Sequence, residues 1–584
     1  MVMPHVPPPP GDRIGLLHGA RQAGRGALAP VPARPGARPD QQGKDLTMAG
    51  TGWSRTALLC LVTIVPALAA PTTGESQMSP KPEGEKHVLI NWDGGSLELG
   101  LLGHRVEKDV AGIQRLLEDA VDEHARAGVD SYVQVVFANF RANLPSSDVL
   151  PTTRWGFSAE WQEKLKAADV DLMRVIMDRC RERGIAFLAC LRMNDRHGHA
   201  VKAEFWKEHP QWRLEDYRGG LDYKHEGVRA KLLAFIEELL GRYDVDGIEF
   251  DYMRWCHVFS REEAEGNAPL LTDMTAKVRK LLDDAARRRG AKHLRFGVRV
   301  PPTLEECRGL GFDVAAWVKQ GLVDYIVPSD FFHTDIDTRV EDFVTLTEGT
   351  DCEVYPAIHP LIGRGNQRNL MKLINYRAAA QNFYARGAHG ISPYNYMYTW
   401  DKRRSPGYEG SGVRWPAALG WLRELADPAR VAARDRHYLF HTMWDQGAPT
   451  GYDKDRRINL TQAEPAGGQS FRVCEDLTDP DLRAVVQFKA VGLDASETLL
   501  IELNGRKVED MQVTRVADPD GQNEYEGRKM GPFHLYVIDV PRGDRDPMLV
   551  NGDNELSVTR RAANGTLEGT VTIDELEVYV YVGS

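Results

Sequence analysis

Short apolar runs alternate with amphipathic stretches through the middle of the chain, which predicts strands that take turns with helices. Eight runs have the length and the β-branched and aromatic content of strands. They lie near residues 87–92, 131–137, 185–191, 245–251, 293–300, 323–328, 352–357 and 390–394. Regular alternation of strands and helices is typical of an α/β parallel sheet, and eight repeats predict a (β/α)8 TIM barrel over residues 85–428.

The segment after the first predicted strand shows the helical pattern clearly. Val110, Ile113, Leu117 and Val121 form one apolar stripe, and charged residues fill the remaining positions. Such a stripe is expected of a helix that covers the outside of the sheet.

The pattern changes to short alternating runs after a polar connection at 427–430, which predicts a second domain over residues 429–584. Strands are expected near residues 484–489, 499–503, 534–539, 554–559 and 570–582. Asn504-Gly505 between apolar runs predicts a hairpin turn. Short strands without helices favour a C-terminal all-β sandwich.

The N-terminal region differs in composition from the rest. Residues 1–47 are rich in Pro, Arg, Gly and Ala without apolar periodicity, so they predict a disordered extension or a start codon placed before the true one at Met48. Residues 48–70 have the form of a secretory signal peptide, with Arg55 ahead of an apolar run that ends in small residues. A membrane anchor is the alternative, but the run is shorter than the ~20 residues a span needs. The sequence therefore predicts an exported protein, secreted or periplasmic.

Charge and cysteine content exclude several classes. Removal of residues 1–69 takes away seven Lys/Arg and three Asp/Glu, and changes the formal charge from −11 to −15. This acidic balance argues against a nucleic-acid partner. Six cysteines remain at scattered positions that form no zinc or redox motif, and a disulfide among them cannot be assigned. No cofactor is predicted.

The fourth predicted strand carries the most informative residues. Glu249 and Asp251 occupy alternate positions of the apolar run 246–251, so both point to one face of the strand. An unpaired carboxylate is costly to bury, so two on one face of a strand indicate polar partners or chemistry. Barrel active sites lie at the carboxyl ends of the strands, which is where Asp251 falls.

The other predicted strand ends are rich in polar and aromatic side chains. Such a set would suit a sugar, because aromatic faces stack on pyranose rings and polar groups bind the hydroxyls. The candidate substrate-binding residues, in strand order, are Trp92, Asp93, Arg192, Asn194, Asp195, Arg254, Trp255, Arg299, His333, His359, Tyr394, Asn395 and Tyr396. For Tyr394 and Tyr396, with Trp400 beyond them, packing at the barrel mouth is an equal alternative.

Several segments resemble the glycosyl-hydrolase-like 10 domains, a family of (β/α)8 glycoside hydrolases. The matching segments are 209–214, 221–223, the helical stretch 225–240, 243–254 and 323–328, and the resemblance extends over about residues 87–425. The stretch 246–253 is also similar to the acidic motif of family 18 chitinases, but Met253 stands where that family has its catalytic Glu. The resemblance therefore implies glycosidic cleavage without the chitinase mechanism.

Glycosidic cleavage generally uses two carboxyl groups. By resemblance to sugar-cleaving barrels, Asp251 is expected to be the nucleophile, with Glu249 deeper in a supporting role. Asp330 is the candidate acid, because Phe331 and Phe332 beside it could raise its pKa. The family usually has Gln near this position, so this role follows from chemistry alone. Asp93, Asp195 and Glu353 are the other candidates.

The sequence as a whole predicts an exported glycosidase that cleaves a poly- or oligosaccharide by a retaining mechanism. Asp251 could instead be a structural acid paired with Arg254 or Arg299. Two other functions stay open: a noncatalytic glycan-binding barrel, and a metal-dependent hydrolase or lyase using Asp195, His197 and His199. The sandwich could bind glycan or cover apolar surface on the barrel. Oligomeric state is open.

Overall fold

The computed structural model describes residues 84–92, 109–152, 159–195, 203–215, 219–362, 369–399, 417–444, 448–452, 454–521, 530–543 and 547–583. All of them belong to one compact unit, residues 70–584. The predicted N-terminal extension and signal peptide, Asp93, His197, His199 and Trp400 lie outside the described residues.

The first part of this unit is built on a parallel sheet. Its strands and an associated hairpin are β1 His87–Trp92, β2 Ser131–Ala138, β3 Arg141–Ala142, β4 Ala186–Arg192, β5 Gly247–Asp251, β6 Arg295–Val300, β7 Tyr325–Pro328, β8 Glu353–Val354, β9 Ala357–Ile358, β10 Leu361–Ile362, β11 Asn369–Leu370 and β12 Gly390–Pro393. Among the described residues, nine strands form the parallel sheet in the order β8-β7-β6-β5-β4-β2-β1-β12-β9. β3 pairs antiparallel with β2, and β10 pairs with β11.

One segment, residues 353–358, supplies the strands at both ends of this order. β8 pairs with β7, and β9 pairs with β12. Between them, the Tyr355 amide donates to the Ile326 carbonyl at 2.9 Å, and the Ser392 amide donates to the Pro356 carbonyl at 3.0 Å. Pro356 has no amide hydrogen, which interrupts a regular ladder at this point. The sheet therefore curls until both of its ends meet the same segment.

Helices occupy the connections between the parallel strands, as predicted. They are α1 Val110–Arg126, α2 Ala159–Ala167, α3 Leu172–Glu182, α4 Glu204–Glu208, α5 Glu226–Arg242, α6 Ala264–Arg289, α7 Leu304–Gly309, α8 Val314–Lys319, α9 Val340–Thr347, α10 Leu373–Ala385, α11 Gly420–Leu425 and α12 Pro428–Ala432. Single turns of 3-10 helix lie at Pro210–Trp212, Tyr396–Thr399, Ala417–Leu419 and Asp510–Gln512.

Helix α1 illustrates why these segments fold locally. It begins after Asp109, whose Oδ1 accepts a hydrogen bond from the Gly112 amide at 2.7 Å and so caps the helix. Ile113, Leu117 and Val121 are fully buried against the sheet, which confirms the predicted stripe.

The strands of the parallel sheet send alternate side chains to two different apolar layers. On β5, Ile248 and Phe250 join the large core between the sheet and its helices. A separate inner cluster contains Leu89, Val133, Leu188 and their neighbours from β7 and the 353–358 segment. Residues in phase with this inner cluster, including those at the strand ends, therefore point to the interior of the curled sheet.

The C-terminal part consists of two antiparallel sheets. Its strands are β13 Arg436–Phe440, β14 Ile458–Leu460, β15 Ala466–Val473, β16 Leu482–Val491, β17 Glu497–Leu503, β18 Arg506–Lys507, β19 Val513–Asp518, β20 Phe533–Asp539, β21 Gly552–Ala562 and β22 Val571–Val582. One sheet has the order β13-β22-β16-β20-β19 with β14 also on β22, and the other has the order β15-β21-β17-β18. The all-β character is confirmed, and the sandwich arrangement stays a prediction.

The hairpin predicted at Asn504-Gly505 joins β17 to β18. Both residues have positive φ, 52° and 74°, as a two-residue turn of this kind requires. The Asn375 side-chain amide of α10 donates to the His437 carbonyl at 3.0 Å, so the first C-terminal strand packs directly on a helix of the parallel sheet.

Six cysteines lie in the described part of the chain, and all are buried and unpaired there. Burial raises the pKa of the Cys180 and Cys190 thiols well above its usual range, so both stay protonated and unreactive. In the part of the chain that the structure describes, no helix combines the length and the apolar character needed to cross a bilayer.

Candidate active site at the carboxyl ends of the parallel strands

Asp251 lies at the carboxyl end of β5 and points to the interior of the curled sheet, as the alternation predicted. Its side chain is fully buried. Oδ1 accepts hydrogen bonds from the Met253 amide at 2.9 Å and from Arg299 Nη1 at 2.8 Å. Oδ2 accepts a hydrogen bond from the Tyr394 hydroxyl at 3.2 Å and lies 3.8 Å from Arg192 Nε. Two guanidinium groups thus compensate the charge of this buried carboxylate.

Arg299, at the end of β6, connects Asp251 to the neighbouring strand ends. Its Nε donates to Ser329 Oγ at 3.1 Å, and its Nη2 donates to the Asp330 carbonyl at 3.0 Å. Its guanidinium lies 3.9 Å from the centre of the Tyr394 ring, within the range of a cation–π contact. The structure therefore confirms the ion pair of Asp251 with Arg299.

Glu249 lies one inward position deeper than Asp251. Its Oε1 accepts a hydrogen bond from Asn91 Nδ2 at 2.6 Å, and its Oε2 accepts one from the Tyr325 hydroxyl at 3.2 Å. Burial, with the nearby charge of Asp251, raises the pKa of Glu249 to about 8. Glu249 is therefore neutral at pH 7 and lies further from the strand end than Asp251, which suits the supporting role predicted for it.

Asp330, after β7, has a different electrostatic setting from the one predicted. Burial alone would raise its pKa, but the His333 ring, the ammonium group of Lys454 and a hydrogen bond from Trp444 outweigh it and hold the pKa of Asp330 well below its usual range. Trp444 Nε1 donates to Oδ2 at 3.0 Å, and the Phe332 and His333 amides donate to Oδ1 at 3.3 and 3.2 Å. The expectation that neighbouring phenylalanines raise this pKa is therefore wrong.

Trp444 and Lys454 come from the segment after β13, in the region predicted to be a separate accessory domain. Trp444 packs with Phe331 and Phe332 in a small apolar cluster above the strand ends. Lys454 Nζ lies 2.6 Å from Asp335 Oδ2 and so holds this segment against the parallel sheet. Sequence reasoning missed both residues, because nothing local places them beside a strand end more than a hundred residues earlier.

Arg192 and Asp195, at the end of β4, belong to the same group. Arg192 Nη2 donates to the Tyr394 hydroxyl at 2.8 Å, and its Nη1 lies 3.4 Å from Asp195 Oδ2. The Asp195 amide donates to Asn139 Oδ1 at 2.8 Å, which ties the ends of β4 and β2 together.

Four buried residues at this edge of the sheet carry polar atoms that make no hydrogen bond within the described structure. They are Asn91 Oδ1, His333 Nε2, His359 Nδ1 and Asn395 Oδ1, whereas His333 Nδ1 lies 3.6 Å from Asp330 Oδ1. Each residue is at most 5% exposed. Buried polar atoms are nearly always paired, so a group of them at one place indicates a polar ligand or ordered water.

Backbone strain concentrates at the same strand ends. Trp255, after β5, has φ of 103°, and Phe140 and Asn395, after β2 and β12, have φ of 56° and 52°. Positive φ is unfavourable for aromatic side chains, and such residues cluster at functional sites. The centres of the Trp255 and Phe331 rings are 4.8 Å apart, and the Arg254 guanidinium lies 5.0 Å from the centre of the Phe331 ring. Both predicted residues, Arg254 and Trp255, therefore reach the rim of this site.

Three predicted substrate-binding residues point away from the site or use their polar atoms in hydrogen bonds within the protein. Trp92 faces the outer helices, and its indole donates to His124 Nε2 at 3.2 Å; the inward residue of this strand end is Asn91. Tyr396 is buried in the outer core and donates to the Ala418 carbonyl at 2.7 Å. Asn194 bonds the Leu221 and His257 carbonyls at 2.9 and 2.8 Å, so its amide joins loops.

Glu353, another candidate acid, is the first residue of β8 and so lies at the amino ends of the parallel strands, where its carboxylate pairs with Arg295 at 2.8 Å. It therefore lies away from Asp251. Among the described residues, His441, Glu575 and Glu577 of the C-terminal sheet offer metal-ligand atoms within 4.8 Å of one another. Lys489 lies 2.6 Å from Glu575, however, and already compensates its charge.

Comparison with known proteins gives no family assignment. No protein-family model matches the chain, and no curated protein matches it. Among solved structures, the glycoside hydrolase domain of PgaB (BpsB) from Bordetella bronchiseptica is 12% identical, with 59% of this chain and 99% of that chain covered at a TM-score of 0.38. An α-L-fucosidase from Vibrio sp. strain EJY3 is 11% identical, with 85% and 96% covered at 0.36. Isoenzyme 2 of the α-L-fucosidase from Paenibacillus thiaminolyticus is 12% identical, with 60% and 49% covered at 0.37. These TM-scores lie below 0.5, so the likenesses carry no argument about activity, and the resemblance to glycosyl-hydrolase-like 10 domains stays a prediction.

Proposed function

We propose that the curled parallel sheet is a (β/α)8 barrel and that the protein is a glycoside hydrolase acting on O-glycosidic bonds of a poly- or oligosaccharide. The barrel is supported by segment 353–358, which hydrogen-bonds to β7 on one side and to β12 on the other. Strand ends of such a barrel converge on one site, where residues from several strands act together.

The observation that carries the proposal is the setting of Asp251. A carboxylate at a strand end is held by Arg299, Arg192 and Tyr394, and the partnerless polar atoms of Asn91, His333, His359 and Asn395 lie on the surrounding strand ends. A sugar supplies many hydroxyl groups that would pair with such atoms. An oriented carboxylate among them suits attack on an anomeric carbon.

In the proposed reaction, Asp251 Oδ2 attacks the anomeric carbon while the glycosidic bond breaks and the leaving oxygen takes a proton from the protonated Asp330 carboxyl group. Water then cleaves the glycosyl–enzyme ester, and the configuration is retained. Arg299 and Tyr394 orient the nucleophile, and neutral Glu249 supports it from below. The acid role of Asp330 requires that substrate displace the Trp444 indole, because this removes a donor that stabilises the ionised form.

The test is product release from a broad glycan panel by the wild type, Asp251→Asn and Asp246→Asn. Asp246 precedes the same strand at its other end, where it accepts a hydrogen bond from the Phe187 amide at 2.8 Å, so it is the matched control. We expect Asp251→Asn to lose at least roughly a thousandfold in kcat with the fold intact by circular dichroism, and Asp246→Asn to stay near wild type. Equal activity of wild type and Asp251→Asn would refute the assignment.

A noncatalytic glycan-binding barrel is the second candidate, and the ionised state of Asp330 favours it, because a hydrolase needs a proton donor. Binding of a glycan by the wild type with no product from any member of the panel would identify this function. The metal-dependent alternative at 195–199 predicts instead that chelation removes activity, whereas glycosidic cleavage by Asp251 is insensitive to chelators.

We further propose that the protein is exported, on the basis of the sequence of residues 48–70. N-terminal sequencing of the protein from its natural host should find the mature chain beginning near residue 70. A chain that keeps residues 48–69 would contradict cleavage.

A further inference from the structure

We infer that the outer face of the six-stranded C-terminal sheet carries a glycan-binding groove for neutral pyranose sugars. The groove has a volume of about 480 Å³, within the range of small-ligand sites. It runs across β22, β16, β20 and the segment that leads into β19. It belongs to a different sheet from Asp251, so the inference does not rest on the proposed hydrolase activity.

One side of the groove is an aromatic wall on β22. The rings of Tyr579 and Tyr581 are parallel within 7°, with centres 6.0 Å apart. His437, on β13, stacks on Tyr579 at 3.7 Å. β13 and β16 pair with opposite sides of β22, so the other face of the Tyr579 ring points toward β16 and the groove. Parallel rings two residues apart on one strand form a flat surface along it, which suits the C–H face of a pyranose.

The floor beside this wall is low and apolar. Val485 lies directly opposite Tyr579 on β16, and Asp539 lies opposite Val485 on β20. Val537, two residues before Asp539, continues the floor. Val485 and Tyr579 both line the groove, and a sugar ring would lie over Val485 beside the tyrosine.

Polar groups border the floor on its other sides. Arg483 lies opposite Tyr581 on β16, with its guanidinium 5.9 Å from the centre of that ring, and it forms a two-bonded ion pair with Asp539 at 3.0 and 3.2 Å; the two side chains are 38% and 59% exposed. Gln487 donates to Glu577 at 2.7 Å, and its amide oxygen makes no hydrogen bond within the described residues. Thr514 is exposed on the far side. Planar donors and acceptors around an aromatic wall are the groups that fix sugar hydroxyls.

The charge of the groove selects the class of sugar. Arg483 and Asp539 neutralise each other, and the other lining side chains among the residues that the structure describes are uncharged. A polyanionic glycan would gain little from this surface, and desolvation of the ion pair would oppose a strongly charged ligand. A chain of neutral sugars could bind in the groove without burying an unpaired charge.

The experiment uses the full chain with Asp251→Asn, so that the barrel cannot consume the probe. Isothermal titration calorimetry measures binding of unbranched hexasaccharides of glucose, mannose, galactose and xylose, with a galacturonic acid hexamer as the charged comparison. Tyr581→Ala removes part of the wall, and Thr514→Trp fills the groove. Thr498→Trp is the matched control, because Thr498 is an exposed strand threonine of the other sheet.

We expect at least one neutral hexasaccharide to bind, with an affinity that falls about tenfold or more in Tyr581→Ala and Thr514→Trp and stays unchanged in Thr498→Trp. Equal binding by the groove variants and the control, binding of the charged hexamer alone, no neutral binding at all, or self-association through this face in sedimentation would each overturn the inference.

Discussion

Replacement of Glu249 by Gln gives a direct test of the electrostatics beneath the proposed site. Burial and the charge of Asp251 raise the pKa of Glu249 from 4.5 to about 8. In the unfolded chain this carboxyl ionises near its ordinary value, whereas in the folded protein it stays neutral until pH 8. The contribution of Glu249 to the free energy of unfolding is therefore complete below about pH 4.5, and it is lost progressively as the pH rises to about 8.

The size of this loss follows from the rise in pKa. Each pH unit between the folded and unfolded pKa is worth 1.36 kcal/mol, so a rise from 4.5 to about 8 corresponds to roughly 5 kcal/mol at pH 9 and above. Gln cannot ionise, and it can keep polar contacts with Asn91 and Tyr325. The Glu249→Gln protein should therefore gain stability relative to wild type as the pH rises.

Urea unfolding of both proteins at pH 5, 7 and 9 measures this difference, because titrating groups shared by the two proteins cancel. A difference in unfolding free energy that is flat from pH 5 to 9 would refute the assignment of a neutral buried Glu249. Tyr325→Phe gives a second check. It removes a hydrogen bond that lowers the pKa of Glu249, so the stability loss should move to higher pH.

Three further predictions concern the surroundings of the site. Trp444→Phe removes a donor to the Asp330 carboxylate and should raise its pKa by about 1–2 pH units. Because a general acid acts in its protonated form, the alkaline limb of the pH–rate profile should shift to higher pH, and an unchanged limb would exclude a titrating role for Asp330. Gly297→Ala would place a Cβ 1.9 Å from the Tyr325 ring, so urea unfolding should show a loss of about 1–3 kcal/mol, and no loss would contradict the tight packing. Burial raises the pKa of Glu306 to about 7, so Glu306→Gln should gain stability over wild type between pH 5 and 8, and a constant difference would contradict this.

The parallel strands were predictable because their signal is local. A buried strand needs a short apolar run, and all eight predicted runs fall on strands of the sheet. The inward direction of Glu249 and Asp251 also followed from the sequence, because polar residues at alternate positions fix the phase of a strand. On β1 the sequence leaves the phase of the strand ambiguous, because both faces carry apolar residues. It therefore predicts Trp92 at the site, whereas Asn91 is the inward residue.

The chemistry of Asp330 follows only in part from its neighbours in sequence. Phe331 and Phe332 indicate an apolar pocket, yet the carboxylate is stabilised by His333, three residues further on, and by Lys454 and Trp444, which folding brings from the C-terminal region. The parallel rings of Tyr579 and Tyr581 likewise cannot be predicted from the sequence, because the orientation of the Tyr579 ring depends on its stacking with His437 from a neighbouring strand.

The sequence by itself determined the order of strands and helices, the all-β C-terminal region and the carboxylate pair on the fourth strand, because apolar periodicity and alternation act over a few residues. Only the tertiary structure decided which groups surround each carboxylate and therefore which of them is charged. The pKa of a buried group depends on the dielectric and the charges within a few ångströms. In this protein those charges come from sequence neighbours such as Asp251 and His333 and also from residues distant in the chain, such as Arg299 and Lys454.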